Sequence, residues 1–214
     1  MLGIGVVQKA RSLDIKVHTE IDRVKPTQLT ENPFEASRMT LLFLDTEFTG
    51  LGQRSPHLIS MGLVSEDGRH SFYAELTPES YVDTCSFWVQ ANILPLLEGG
   101  DRVMEPDTLR QRLTAWIGVL GDVRIVNDAP DYDFAFLRAT LEPWPANVDP
   151  KPIRFDTQVL GDCHRETLEI YRGAYFTPTK PEHHSGHDAR ALRQSWQRAK
   201  ALDAFQAYAV KLGL

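Results

Sequence analysis

The sequence contains few cysteines and no long apolar segment. Only Cys85 and Cys163 occur among the 214 residues, which excludes a disulfide framework and fits a protein held in a reducing compartment. No apolar run reaches the roughly 18 residues that a membrane-spanning helix requires. A basic start followed by a small-residue cleavage site, the mark of a signal peptide, is also missing. We therefore expect a cytoplasmic protein without membrane association.

Basic residues are outnumbered as well. Lys and Arg together number 23 against 29 Asp and Glu, so the net charge is −6. This balance argues against a protein that coats long duplexes, because such binding depends on many Lys and Arg contacts to phosphate. It leaves room for a nuclease that holds only the last few nucleotides of a strand. The hydrophobic fraction of 42% is enough to build the core of one globular domain.

Residues 1–38 differ from the rest of the chain. They hold scattered charged, Pro and Thr residues, one brief apolar patch and no recognisable motif. Two interpretations are open: Met39 is the native start and the preceding segment is an upstream reading, or the segment is a short ordered arm that packs on the domain. We predict an N-terminal extension over 1–38 and one domain over 39–214.

The domain alternates strand and helix patterns and predicts an α/β fold. A strand from Thr40, a second over His57–Ser65 and a third over Arg69–Leu76 form an antiparallel meander, with Glu66-Asp67-Gly68 as the second turn. Helices and strands then alternate, which predicts added parallel strands. The predicted later elements are a helix from Pro106 to Gly121, a strand over Val123–Asn127, a helix over Asp133–Leu141, a strand over Ile153–Asp156, a helix ending near Tyr171, and helices over Asp188–Ala201 and Asp203–Leu212.

Two carboxylates end the first strand. Asp45 and Glu47 follow the apolar run 41–44 and are separated by one residue, so in an extended strand both point to the same face. Four consecutive apolar residues are typical of a central strand covered on both faces. Two like charges this close repel unless one is protonated or a cation lies between them, and hard divalent cations accept oxygen ligands. The pair therefore indicates a metal site, although a solvated strand end is the common alternative.

A third carboxylate, Asp133, opens a predicted helix. It precedes Phe136 and Leu137 by three and four positions, which places it on the same side as that apolar pair. Its alternative role is to interact favourably with the positive end of the helix dipole. Asp128 and Asp131 have no apolar partners at this spacing, so we expect them to belong to the turn.

The third cluster is His183-His184-Ser185-Gly186-His187-Asp188. We expect Asp188 to begin a helix with a buried stripe, so that its carboxylate also reaches the edge of the core. His183 lies five residues earlier in a loop, and an imidazole that titrates near neutral pH can take a proton from water. Solvated loop histidines or zinc ligands are the alternatives. Zinc is disfavoured because its structural sites usually gather four Cys and His ligands.

Together the segments LDTEFTGL, YDFAFL and HHSGHDARAL resemble the three motifs of the DEDDh branch of 3′-to-5′ exonucleases, within the ribonuclease H-like superfamily. The resemblance covers roughly residues 39–201. The continuation HLISMGLVSEDGRHSFYAEL with FWVQANILPLL is most similar to a compact bacterial and phage exoribonuclease subgroup. Two departures stand out: Asn127-Asp128-Ala129-Pro130 replaces the usual His-Asn-Ala lead, which affects the assignment of Asp133, and Ser185 stands where relatives often have Ala.

The resemblance implies a ribonuclease H-like mixed sheet flanked by helices and an enzyme that releases nucleoside monophosphates from single-stranded RNA 3′ ends. Two Mg²⁺ or Mn²⁺ ions would be its cofactors, and a homodimer is common among such relatives. The implied metal ligands are Asp45, Glu47, Asp133 and Asp188; the implied catalytic residues are His183 and Glu47; and the implied substrate-binding residues are Phe48 and Leu51.

Other functions stay open on the sequence. They are a DNA-directed 3′-to-5′ exonuclease, a non-catalytic nucleic-acid-binding module, and a phosphohydrolase built around the His187-Asp188 dipeptide. Lys180, Arg190 and Arg193 are the basic residues that we expect to help hold a substrate, although each taken singly could be an ordinary solvated charge.

Overall fold

The computed structural model describes residues 39–214, so the two interpretations of residues 1–38 lie outside it. Its centre is a six-stranded mixed sheet in the order β4-β3-β2-β1-β5-β6. The strands are β1 (Thr40–Phe48), β2 (Leu58–Ser65), β3 (Ser71–Leu76), β4 (Val103–Met104), β5 (Val123–Asn127) and β6 (Ile153–Arg154).

Strand β1 occupies the middle of this sheet. It pairs antiparallel with β2, which pairs antiparallel with β3, and on its other side β1 pairs parallel with β5 and β5 with β6. The predicted three-strand meander and the added parallel strands are therefore confirmed. The short strand β4, which pairs parallel with β3, was not predicted.

Helices cover both faces of the sheet. They are α1 (Phe87–Asn92), α2 (Pro106–Gly118), α3 (Asp133–Thr140), α4 (Asp162–Gly173), α5 (Ser185–Ala199) and α6 (Asp203–Leu212). Helix α1 and four short 3₁₀ turns between residues 78 and 102 have no counterpart in the predicted elements. Among residues 39–214, no helix combines the length and the apolar character needed to cross a membrane.

The apolar residues of β1 pack into two separate hydrophobic cores. Leu42 and Leu44 pack on one face with residues of α1, α2 and α3, whereas Leu41 and Phe43 pack on the other with residues of α4, α5 and α6. Alternation of side chains along a strand explains this division. The strand is thus covered on both sides, as its continuous apolar sequence predicted.

The predicted start of the helix that carries Asp188 is wrong. Helix α5 begins at Ser185 rather than at Asp188, so Ser185, Gly186 and His187 are helical. The sequence favoured a loop here because Gly disfavours helix interiors. In the structure this first turn packs on the sheet, where small residues are required, and tertiary packing overrides the local preference.

Candidate metal centre and adjoining cavity

The carboxylates of Asp45 and Glu47 lie at the end of β1. Asp45 continues the alternation of Leu41 and Phe43, which places it on the face covered by α5. Glu47 is only 8% exposed, and Asp45 is half-buried. The pairing of β1 with β2 shifts register between Glu47 and Phe48, and such irregularities re-aim the side chains that follow. The two acids therefore lie near the end of β1, directly before this irregularity.

Helix α3 brings a third carboxylate to the same place. One oxygen of Asp133, Oδ1, accepts hydrogen bonds from the backbone N–H of Thr46 at 3.2 Å and from its hydroxyl at 2.7 Å. The other oxygen, Oδ2, is buried and has no hydrogen-bond partner among the described residues. Leaving a buried carboxylate oxygen unpaired is costly. Asp133 thus presents an oxygen that a cation would satisfy.

The start of α5 is pressed closely against β2 beside Asp45. Gly62 is the β2 residue that pairs with Asp45, and a Cβ added to Gly62 would lie 2.3 Å from the carbonyl oxygen of Ser185. The Ser60 and Ser185 hydroxyls are 2.9 Å apart and hydrogen-bonded. This approach, which only a glycine permits, places Asp188 next to the end of β1.

The carboxylates form two groups of three that share Asp45. In one group Asp45 meets Glu47 and Asp188, and in the other it meets Asp128 and Asp133; within each group one oxygen of every residue lies within 4.8 Å of the others. All the ligand atoms are carboxylate oxygens, the donors that Mg²⁺ and Mn²⁺ prefer. The four predicted metal ligands therefore come together. Asp128, which we expected only in a turn, joins them.

Burial and mutual repulsion raise the pKa of these carboxyls. Burial, followed by the charges of Asp188 and Asp133, raises the pKa of Glu47 to about 8. Burial raises the pKa of Asp133 to about 7, although the hydrogen bond from Thr46 opposes it. Loss of hydration, together with the surrounding carboxylates, raises the pKa of Asp45 well above its usual range. Without a bound cation, some of these carboxyls must therefore keep their protons at neutral pH.

One internal cation, Arg172, lies beside this cluster. Its guanidinium from the end of α4 is ion-paired with Asp128 and lies 3.7 Å from Asp188 Oδ1. Burial raises the pKa of Asp188 to about 6 and Arg172 opposes that rise. The guanidinium itself stays protonated: burial lowers its pKa, but the charges of Asp128 and Asp45 raise it further. Its sequence context, a helix end outside the three motifs, gave no sign of this role.

The two adjacent histidines face different surroundings. His183 has a φ of 66°, uncommon for a residue with a side chain, and its ring meets Trp88 edge-on at a centroid distance of 4.9 Å. His184 is 5% exposed and stacks on Tyr73 at 4.4 Å, while its backbone N–H donates to Asp188 Oδ2 at 3.0 Å. Burial lowers the pKa of the His184 imidazole. His183 is therefore half-buried against Trp88, whereas the His184 ring is buried against Tyr73.

A cavity of about 420 Å³ adjoins Glu47 and His183. Its remaining lining is largely apolar and consists of Phe48, Gly50, Leu51, Ser86, Trp88, Val89 and Ile93. Phe48 is held by stacking on Tyr132 at a centroid distance of 5.1 Å. Leu51 and Trp88 are 77% and 52% exposed and stand at the opening. The structure thus places the two predicted substrate-binding residues in one cavity beside the carboxylates.

Trp88 was not singled out from the sequence. It lies in the FWVQAN segment of α1, where the Ser86 hydroxyl caps the helix by accepting a hydrogen bond from the Val89 N–H at 3.2 Å. A Cβ on Gly50 would be 3.2 Å from Ser86, so the loop after β1 packs directly against this cap. A Ser three residues before an apolar position was the available signal for a helix start.

No protein-family model matches this chain, and no curated protein matches it.

Proposed function

We propose that this protein is a metal-dependent 3′-to-5′ exonuclease with a ribonuclease H-like fold, and that its substrate is the 3′ end of single-stranded RNA. The observation that carries the proposal is that five carboxylate side chains form two clusters of three, and that Asp45 belongs to both clusters. Two cation sites with a bridging carboxylate are the arrangement used to hydrolyse phosphodiesters by two-metal catalysis. The mixed sheet, with its central strand ending in this cluster, is compatible with that fold.

The residues present fit Mg²⁺ or Mn²⁺. Among residues 39–214, the groups of three or more side chains that could hold an ion consist of carboxylates alone, and one buried oxygen of Asp133 has no hydrogen-bond partner there. The raised pKa values of Glu47 and Asp133 report the same shortage of positive charge. When bound, such cations lower the pKa of water and stabilise the departing oxygen. Asp45, Glu47, Asp133 and Asp188 are the ligands that we propose.

His183 is positioned to act as the general base. It lines the same cavity as Glu47 and is half-buried, so its imidazole can reach a water molecule beside the carboxylates. Histidine is the side chain that most often acts as a general base in catalysis. His184 cannot share this role, because its ring is buried against Tyr73.

The cavity suits one terminal nucleotide. Its volume of about 420 Å³ and its aromatic walls match a nucleobase, and stacking on an aromatic side chain contributes on the order of 1–3 kcal/mol per base. Such contacts do not read the base identity. A base seated between Phe48 and Trp88 would place the phosphate of its nucleotide near Glu47, where hydrolysis would take place. Paired 3′ ends should be poor substrates, since the last base must first leave its stack.

The test is a degradation assay on single-stranded RNA and DNA 12-mers of equal sequence, labelled at the 5′ end. With Mg²⁺ or Mn²⁺ we expect a ladder of products shortened from the 3′ end, faster on RNA, and no products with EDTA. Asp45→Asn should abolish the ladder at nearly constant side-chain volume, whereas the exposed Asp101→Asn should not. Faster DNA cleavage would identify a deoxyribonuclease, and binding without any ladder would identify a non-catalytic module.

A further inference from the structure

Four basic side chains gather around a cleft beside α5. The cleft has a volume of about 200 Å³. Arg190, Arg193 and Arg198 line it together with Tyr175, and the ammonium group of Lys180 lies 5.1 Å above the Tyr175 ring. The concentration is notable in a chain with a net charge of −6.

None of these four cations is within ion-pair distance of a carboxylate in the described part of the chain. Basic residues on other elements commonly have such a partner. The paired residues are Arg69, Arg102, Arg110, Arg124, Arg154, Arg165, Arg172 and Lys200. Positive charge around the cleft is therefore left available for an external anion.

The side chains around the cleft are partly fixed by hydrogen bonds to backbone carbonyls. Arg190 Nη1 donates to the Gly186 carbonyl at 2.5 Å, and Arg193 Nε donates to the Glu66 carbonyl at 2.8 Å. These bonds use one donor each, whereas a guanidinium carries five. A Cβ on Gly68 would lie 2.9 Å from Arg193 Nη2, so this glycine gives the guanidinium its space. The arginine side chains of the cleft are thus held in position, and most of their N–H donors stay available for a ligand.

The cleft leads away from the metal centre along α5. Tyr175 lies 6.2 Å from the His187 ring, and His187 directly precedes Asp188. From Arg190 to Arg198 the helix extends about 12 Å, at about 1.5 Å per residue. That length spans about three phosphates, at 3.4 Å or slightly more per nucleotide.

We propose that this cleft binds the phosphodiester backbone of the RNA strand upstream of the 3′-terminal nucleotide. The inference rests on the proposed exonuclease function, and it assigns the substrate a direction: the terminal base enters the cavity of Phe48 and Trp88, and the preceding phosphates follow α5 towards Arg198. Tyr175 offers a face on which one upstream base can stack.

The salt dependence of binding gives the size of the effect. For single strands the slope of log affinity against log salt is about 0.7 per neutralised phosphate. Three phosphate contacts therefore predict a loss of about 20-fold in affinity between 50 and 200 mM salt. Removal of two of the contacts should reduce that loss to about 3-fold.

The experiment measures fluorescence anisotropy of a 5′-labelled, unstructured 12-nucleotide RNA with EDTA present, so that binding is read without hydrolysis. The variant is Lys180→Gln with Arg198→Gln, because neither side chain forms a hydrogen bond with another of the residues 39–214. The control is Arg112→Gln with Arg138→Gln, which removes two exposed positive charges from α2 and α3 on the other face of the sheet; neither has an ion-pair partner among residues 39–214. We expect a smaller salt slope for the cleft variant and an unchanged slope for the control.

Four outcomes decide the matter. Equal slopes for wild type, cleft variant and control would overturn the proposal, as would equal weakening of a dinucleotide and of the 12-mer by the cleft substitutions, since a dinucleotide does not reach Arg198. A slope lowered only by the cleft variant supports it. If the slope falls as expected but no metal-dependent ladder forms, the binding surface stands and the exonuclease function fails.

Discussion

The metal-free protein should lose stability as the pH rises through neutrality. A carboxyl whose pKa is raised by folding binds its proton more tightly in the folded state than in the unfolded state. Stability is therefore highest where the carboxyl is protonated in the folded protein and declines as the pH rises through the folded pKa. For Glu47 and Asp133 those values are about 8 and about 7. Between pH 6.5 and 8.5 both groups must give up protons that the unfolded chain has already lost.

The magnitude follows from linkage, at about 1.36 kcal/mol per proton and pH unit. Titration of Glu47 over this interval costs about 2 kcal/mol and that of Asp133 about 1 kcal/mol, or about 3 kcal/mol in total. For a protein of this size, 1 kcal/mol corresponds to roughly 2–4 °C in the melting temperature. The expected decrease is therefore about 6–12 °C. The interval avoids His184 and His187, because burial lowers the pKa of both imidazoles and they titrate at more acidic pH.

The assay is thermal unfolding, followed by circular dichroism at pH 6.5, 7.5 and 8.5 with EDTA or with Mn²⁺. In EDTA the melting temperature should fall with pH. Mn²⁺ at about 100 times its dissociation constant should add about 3 kcal/mol, and the gain should be larger at pH 8.5 because protons no longer compete. Asp133→Asn should raise the metal-free melting temperature at pH 8.5 and weaken the response to Mn²⁺. Asp101→Asn, on the exposed surface, is the matched control.

A flat or rising melting temperature in EDTA over this interval would refute the reasoning. So would a Mn²⁺ response that Asp133→Asn leaves unchanged. Either result would mean that the carboxylates are hydrated or screened in solution and do not form a buried cluster that lacks compensating positive charge.

Three further experiments test separate parts of the site. His183→Ala should lower turnover by about 10²–10⁴-fold with little change in melting temperature. His184→Ala should lower the melting temperature, because its ring is buried. Equal effects of the two substitutions in both assays would contradict this division of roles. Gly62→Ala should shift the start of α5 and remove most activity and most of the Mn²⁺ stabilisation. Gly118→Ala should be near neutral in activity and Mn²⁺ response, because the added Cβ would meet no other element of the described residues within 4 Å. Arg172→Met should lower the metal-free melting temperature at pH 8.5 and enlarge the gain from Mn²⁺, because the internal cation is lost; an unchanged gain would show that the guanidinium does not act on the cluster.

The sequence alone determined the main elements and the residues that carry charge at their ends. The apolar run before Asp45 predicted a central strand because continuous burial on both faces leaves a continuous apolar pattern. Helix α6 was predicted at its observed bounds, Asp203–Leu212. Asp133 and Asp188 were found because a carboxylate at the start of an apolar stripe must lie at the edge of the core. These signals are local, and each is encoded within a few residues.

The tertiary structure alone decided how these elements combine into a site. The hydrogen bonds from Thr46 to Asp133 join residues 87 positions apart, and the close approach of Gly62 to Ser185 sets the true start of α5. Arg172 also reaches the cluster from a helix end without any local motif. Periodicity records whether a residue is buried but not which distant residue it meets. Pairing of charges and closeness of backbones depend on contacts between elements, and the chain has these contacts only after it folds.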